Sequence, residues 1–270
     1  RGVDEEVVAR FEESASKQWN IVKNASLSEI RENADGSVTV VAKHTTENGE
    51  ELLEIPADAV LVATGRRSNT DTLNAKNYFD VQDGGQLSVD KYQRVLYNGA
   101  PVPGVYALGD VSSRYQLKHV ANHEARVVQH NLSHPEDLRA SDHRYVPAAV
   151  FSNPQIAVVG MTEEQARQAA EREGFEITVK AQNFGDTAYG WAMEDKIGLC
   201  KLIARKDNGE LLGAHLVGEE SSVLIQPLLQ AMSFGMDTRT LARGQYWIHP
   251  ALTEVVENAL LGLEFDEPAN

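Results

Sequence analysis

Residues 59–63 form an uninterrupted apolar run, Ala-Val-Leu-Val-Ala, that leads through one threonine into Gly65. Strands made of continuous apolar residues are typical of parallel α/β sheets, because both faces of such a strand are buried. An Asp-Gly pair at 35–36 and an Asn-Gly pair at 48–49 are hairpin turn signals. The first block of the chain therefore predicts part of an α/β domain with an antiparallel ribbon beside its sheet.

A second apolar run, residues 105–108, ends in Gly109 and Asp110 and precedes a segment with helical periodicity. A carboxylate at the end of a strand lies where open α/β sheets bind ligands, and it can accept hydrogen bonds from a sugar or ribityl hydroxyl. The helix would present its N-terminal amides, near Lys118 and His119, to an electron-rich group. The alternative is that Asp110 only begins a loop.

The third block, after a polar linker at 133–145, has a self-contained α+β pattern. Thr162 and Gln165 predict a capping box at the start of a helix that Gly174 ends. Pro227 predicts a kink within a helix at 222–234. The last helix is expected to start at Pro250 and to stop at Gly262, since proline favours the first turn and glycine the end of a helix. Strands are predicted at 177–180, 198–205 and 211–217.

His249 precedes a helix whose first turn contains Glu254. At this spacing the carboxylate can fold back onto one imidazole nitrogen and orient the other nitrogen for general acid–base catalysis. The alternative is a glutamate that complements the helix dipole beside an unrelated exposed histidine. The aromatic residues at 189–191 and 246–247 are expected in a core or an interface, or around a bulky substrate.

Composition excludes several classes of function. The formal net charge of −15 argues against nucleic acid and anionic membrane as partners, since both need a basic surface, and no apolar run is long enough for a membrane span. His119, His123 and His130 lack the acidic partners of a zinc signature, so no metal is predicted. Cys200 is the only cysteine, is expected to be buried and inert, and fits a reducing cytoplasm.

Taken in order, these segments resemble the class I pyridine-nucleotide disulfide oxidoreductases, a glutathione reductase-like family with two dinucleotide-binding domains. The resemblance covers essentially the whole chain. It is carried by AVLVATGRRSN at 59–69, VPGVYALGDV at 102–111, VFSNPQIAVVGMTEEQA at 150–166 and HPALTE at 249–254. Finer matches at 117–130, 189–195 and 245–263 favour one branch of the family. This chain has Ala251 where glutathione reductase-like sequences commonly have threonine, which fits the same branch.

The resemblance implies a fold of α/β plus α+β type. Residues 1–69 would be the C-terminal part of the NAD(P)H-binding domain, 70–145 that of the FAD-binding domain, and 146–270 a dimerisation domain. It also implies FAD and NADPH as cofactors, a small-molecule disulfide as substrate and a homodimer formed through the C-terminal domain.

The same resemblance implies the roles of individual residues. Gly65 would lie near the nicotinamide. Asp110 would bind the ribityl chain of FAD, and the backbone at Lys118 would approach the flavin ring. Gly109 and His119 would belong to the same cofactor site. His249, oriented by Glu254, would serve the active site of the partner subunit.

The chain begins at Arg1 rather than Met, which predicts a piece of a longer protein. No Gly-x-Gly-x-x-Gly motif and no cysteine pair occur in it, so the chain is expected to be inactive by itself. Two alternatives stay open. One is a relative that acts on dihydrolipoamide or another disulfide, and the other is a non-catalytic dimerisation module.

Overall fold

The computed structural model describes residues 2–266, so Arg1 and residues 267–270 lie outside the described part. The chain separates into two compact units. One comprises residues 18–67, and the other combines the first 17 residues with residues 68–270. Within the described residues, no helix is both long and apolar enough to cross a membrane. The predicted division at residues 69 and 145 follows different boundaries and stays a prediction.

The unit of residues 18–67 is a three-stranded antiparallel sheet. Its strands are β1 (Ala25–Glu32), β2 (Val38–Thr46) and β3 (Gly49–Ala57), in the order β1-β2-β3. Tight turns at Gly36 and Gly49, both with positive φ, join the strands as the hairpin signals predicted. The ribbon prediction is therefore confirmed.

The predicted strand at 59–63 is wrong in this structure. These residues have no regular secondary structure, and Leu61 is 91% exposed. The physical reason is the lack of partners, because a strand exists only when its amide and carbonyl groups pair with a neighbour. Every strand pairing between described residues is antiparallel, so the parallel sheet that would cover this segment is not formed within them.

The other unit begins with helix α1 (Glu5–Ala15), capped by Asp4. After residue 68 it continues with a small hairpin of β4 (Arg94–Tyr97) and β5 (Ala100–Tyr106), followed by helix α2 (Lys118–Ser133). The strand predicted at 105–108 thus begins earlier and ends at Tyr106. A short 3-10 turn at Gly109–Val111 joins it to α2.

A five-stranded antiparallel sheet forms the centre of this unit, in the strand order β6-β7-β10-β9-β8. Its strands are β6 (Ala148–Val150), β7 (Gln155–Gly160), β8 (Ile177–Asn183), β9 (Leu199–Arg205) and β10 (Leu211–Gly218). The helices of this region are α3 (Glu163–Glu173), α4 (Ala188–Ala192), α5 (Ser221–Leu224), α6 (Gln226–Phe234), α7 (Thr238–Leu241) and α8 (Glu254–Leu261).

Strand β9 is buried on both faces of the sheet. Its even-numbered residues, among them Cys200 and Leu202, belong to the large core that includes α6 and α8. On the opposite face Leu199 packs with Val7 of α1 in a separate cluster. Cys200 is fully buried, so the prediction of a buried cysteine is confirmed. Burial raises the pKa of its thiol, which favours the predicted lack of reactivity.

The helix ends follow the sequence signals in α3 and at the end of α8, but not at the start of α8. Thr162 and Gln165 form the predicted capping box, and Gly174 ends α3 in the left-handed conformation. Pro227 divides the predicted helix at 222–234 into α5 and α6, because it supplies no amide for a helical hydrogen bond. The last helix ends at Gly262 as predicted, but the prediction that it starts at Pro250 is wrong, since α8 begins at Glu254.

A buried ionic cluster attaches α1 to the sheet. The Lys201 ammonium on β9 lies 2.8 Å from an Asp4 carboxylate oxygen and 2.7 Å from one of Glu163. Burial lowers the pKa of Lys201, but the hydrogen bonds to both carboxylates raise it further, so it stays above its ordinary value. For Asp4 the effect of burial has the opposite sign, because burial raises the pKa of a carboxyl group. The hydrogen bonds from Lys201 and from backbone amides outweigh it and hold the pKa of Asp4 below its ordinary value. The same balance lowers the pKa of Glu163.

We expect Lys201→Met to destabilise the protein by about 3–5 kcal/mol at neutral pH, because it leaves the buried Asp4 carboxylate without its cation. The measurement is urea unfolding. The exposed Lys196→Met is the matched control and should change stability by less than about 0.5 kcal/mol. Adding Asp4→Asn to the first variant should restore part of the loss.

The carboxylates have lowered pKa values in the folded state, so their contribution is present above the ordinary pKa of 3.8 for Asp4 and lost as pH falls through the folded value. The stability difference between the wild type and Lys201→Met should therefore shrink in acid. A difference that is independent of pH would contradict the ionic account.

Candidate active site

The structure brings the two predicted catalytic side chains together. His249 Nδ1 lies 2.7 Å from Glu254 Oε1, and the Ala251 amide donates to Glu254 Oε2 at 3.2 Å. The carboxylate thus closes the turn ahead of α8. The hydrogen bond from His249 is the main reason why the pKa of Glu254 lies below its ordinary value. An ionised Glu254 orients the imidazole with Nδ1 as the donor.

The imidazole of His249 faces an open cavity. Its side chain is 68% exposed, while that of Glu254 is 16% exposed. The cavity measures about 540 Å³ and is lined by His249 and Pro250 on one side and by residues of α4 and the turn before it on the other. Tyr189 and Trp191 belong to this lining, and Trp191 is 76% exposed. The arrangement offers an oriented proton carrier beside an aromatic surface.

Asp110 lies in the turn between β5 and α2, and its side chain is exposed to solvent. Gly109 precedes it at φ +70°, a conformation that favours glycine, and a Cβ there would lie 3.1 Å from Ala121 Cβ on α2. The turn therefore packs closely against the helix. Ser68 Oγ donates to the Asp110 carbonyl at 3.1 Å, which holds the same turn from the other side.

Helix α2 begins at Lys118, the residue that the sequence placed near a flavin ring. Leu117, the residue ahead of this helix, makes no side-chain capping hydrogen bond, and no acidic residue lies in the first turn, so the positive end of the helix suits an electron-rich group. An acceptor-rich pyrimidine edge suits these donors, and the Asp110 carboxylate suits ribityl hydroxyls, so the residues fit the predicted FAD. His119 Nε2 instead donates to the Pro147 carbonyl at 2.8 Å.

The residues predicted to bind cofactors and the predicted catalytic histidine line different cavities. Lys118 and His119 line a cavity of about 1090 Å³, whereas His249 lines the smaller cavity, and no lining residue is common to both. Gly65 belongs to the unit of residues 18–67, where it has φ +142° and no atom within 4 Å of a built Cβ. One chain thus presents the two groups of residues at different surfaces.

Sequence reasoning missed two residues behind the Asp110 turn. Glu124 of α2 is 1% exposed, and its Oε2 accepts a hydrogen bond from the Gly109 amide at 2.7 Å. His143 Nε2 lies 3.0 Å from the other carboxylate oxygen. The only signal in the sequence is a glutamate among the apolar positions of a helix. Among the residues that the structure describes, no group of three or more His, Cys, Asp or Glu side chains could hold a metal ion.

The profile of the pyridine nucleotide-disulphide oxidoreductases matches residues 1–125, and that of their dimerisation domain matches residues 146–260. The chain belongs to the pyridine nucleotide-disulphide oxidoreductase family, as the sequence motifs predicted. It is 51% identical over 268 residues to mycothione reductase of Mycobacterium tuberculosis, covering 97% of this chain and 54% of that protein. The branch that residues 117–130, 189–195 and 245–263 indicate is that of mycothione reductase, and this similarity confirms the prediction.

Other relatives are more distant. The chloroplastic dihydrolipoyl dehydrogenase 2 of Arabidopsis thaliana is 34% identical over 83% of this chain and 39% of its own length. The structure of the HOCl-induced flavoprotein disulfide reductase RclA from Escherichia coli matches 97% of this chain and 56% of its own with a TM-score of 0.82 and 26% identity. The chain therefore spans about half the length of the relatives it matches. Family membership implies the predicted cofactors FAD and NAD(P)H.

Replacing His249 by Ala should raise the pKa of the Glu254 carboxyl toward its ordinary value, because the main hydrogen bond that lowers it is lost. The measurement is a pH titration of the Glu254 carboxyl carbon by NMR. His134→Ala removes an exposed histidine of α2's C-terminal cap and is the control. If Glu254 titrates identically in all three proteins, the hydrogen-bonded pair does not exist in solution.

Proposed function

We propose that this chain is part of an NADPH-dependent flavoprotein disulfide reductase that reduces mycothione, the disulfide of mycothiol. The 2.7 Å contact between His249 Nδ1 and Glu254 is the observation that carries the catalytic part of this proposal. The similarity to mycothione reductase supports the substrate. In this reading residues 1–69 and 70–145 contribute to the NAD(P)H and FAD domains, residues 146–270 are the dimerisation domain, and the reducing cytoplasm is the compartment.

His249 is the proton carrier of the proposed reaction. A thiolate of the reduced enzyme attacks one sulfur of the substrate disulfide and forms a mixed disulfide with it, while the second substrate sulfur leaves as a thiolate. The second enzyme thiol then displaces the sulfur that is still bound, which releases the other substrate thiol and leaves an enzyme disulfide. His249 Nε2 donates its proton to the thiolate that departs in the first step, while Nδ1 stays bound to Glu254. The ionised Glu254 stabilises the imidazolium before the transfer. Bound FAD and NADPH would supply the electrons that regenerate the dithiol.

Cofactor binding falls to the other group of residues. Asp110 would accept hydrogen bonds from the ribityl chain, and the amides of the first turn of α2, at Lys118 and His119, would approach the electron-rich edge of the flavin ring. Gly109 allows the close approach of the turn to α2. Gly65, with its positive φ, would leave room for the nicotinamide.

A homodimer would bring the two groups of residues together. The cavities lined by Lys118 and by His249 share no residue within one chain, so a second chain that supplies its His249 to this flavin site removes the separation. Large apolar side chains exposed in the C-terminal region favour such an interface. They include Phe151, Trp191, Val223, Phe234, Tyr246 and Ile248.

The second candidate is a non-catalytic dimerisation module. It is favoured by the largest apolar core of the described chain, which draws all its buried residues from positions 157–263. Sedimentation and flavin titration of the 270-residue chain test this function for the chain by itself. A dimer without FAD affinity would support the module, whereas tight FAD binding with NADPH oxidation would argue against it.

In the complete gene product we expect His249→Ala to lower the rate of mycothione reduction by about 10²–10⁴-fold, the usual contribution of a positioned acid–base group. NADPH-dependent reduction of a quinone dye, which takes electrons directly from flavin, should persist. Glu254→Gln should cause a smaller loss, and His134→Ala none. Equal rates for His249→Ala and wild type would refute the role.

Comparing mycothione, glutathione disulfide and lipoamide as substrates of the same enzyme tests the substrate. Preference for lipoamide would assign the chain to the dihydrolipoamide dehydrogenases instead.

A further inference from the structure

We propose that Glu124 is a positioning residue for the flavin: its buried carboxylate fixes the Gly109 amide and thereby the turn on which Asp110 stands. This inference rests on the proposed binding of FAD at Asp110. It adds a residue that has no direct contact with the cofactor in the proposed arrangement.

The first observation is the hydrogen bond itself. Glu124 Oε2 accepts from the Gly109 amide at 2.7 Å in a buried environment. An ionised acceptor strengthens a hydrogen bond to a backbone amide, and a low-dielectric setting strengthens it further. The amide that Glu124 holds belongs to the residue immediately before Asp110.

The second observation is that the backbone on both sides of Asp110 is held. The Gly109 carbonyl accepts from the amides of Ser112 and Ser113 at 3.0 and 2.7 Å. Ser68 Oγ donates to the Asp110 carbonyl at 3.1 Å. With the Gly109 amide bound by Glu124, the turn has hydrogen-bond restraints from three separate parts of the chain.

The third observation concerns the charge of the buried carboxylate. His143 Nε2 lies 3.0 Å from Glu124 Oε1, and the imidazole is 28% exposed at the solvent side. Tyr115 and His123 pack their rings against His143. Burying a carboxylate without such a partner would cost free energy. The contact with His143 therefore allows the Glu124 carboxylate to be buried next to the Gly109 amide.

Glu124→Ala leaves the Gly109 amide without its acceptor. We expect FAD binding to the complete gene product to weaken on the order of 10- to 100-fold, the usual effect of losing a hydrogen bond to a charged group. Glu124→Gln retains an oxygen acceptor but not the charge, and should recover part of the affinity that Glu124→Ala loses. The measurement is titration of the flavin-free protein with FAD, followed by flavin fluorescence.

Val127→Ala distinguishes positioning from general destabilisation. Val127 is buried in the same helix, so its truncation loosens α2 without touching the Gly109 amide. Hydrogen exchange of the peptide containing Gly109, in the flavin-free protein, should accelerate selectively in Glu124→Ala and not in Val127→Ala or Glu124→Gln. The exposed Glu171→Ala is the matched glutamate control.

The outcomes separate the two proposals. If the wild type does not bind FAD, the proposed function fails and the flavin role of Glu124 fails with it. If the wild type binds FAD but Glu124→Ala and Val127→Ala lose affinity equally, with equal exchange at Gly109, the reductase proposal stands and Glu124 is only structural. Selective loss in Glu124→Ala with rescue by Glu124→Gln supports positioning.

Discussion

The burial of strand β9 on both faces is the constraint on which the C-terminal region depends. A strand that is buried on both faces needs apolar partners on each of them. Helix α1, which lies far from β9 along the sequence, covers the second face. Lys201 occupies a position on the α1 face where a charge is costly unless it is paired. Asp4 satisfies it and caps α1 at the same time. One residue therefore sets both the start of the helix and its attachment to the sheet.

The features that could be predicted from sequence are those whose partners lie within a few residues. The capping box of Thr162 and Gln165 needs one helical turn, and the pair of His249 and Glu254 spans five residues. In both cases local backbone geometry brings the groups together. The family motifs extended this range, because they identify residues such as Asp110 whose surroundings come from distant segments.

Long-range partners could not be predicted in this way. The contact of Glu124 with Gly109 depends on how α2 packs on the preceding turn, and its contact with His143 depends on the course of the polar linker. The failed strand at 59–63 has the same origin. An apolar run needs strand neighbours to pair with, and those neighbours cannot be identified from the run itself.

The pairing of Asp4 with Lys201 joins residues 197 positions apart, and this separation has a consequence during synthesis. At the usual pace of translation, about 5–20 residues per second, some 10–40 s pass between the appearance of the two side chains. Throughout that interval α1 lacks strand β9, whose Leu199 packs against Val7 of the helix. The first helix of the chain can complete its packing only after the ribosome has delivered β9.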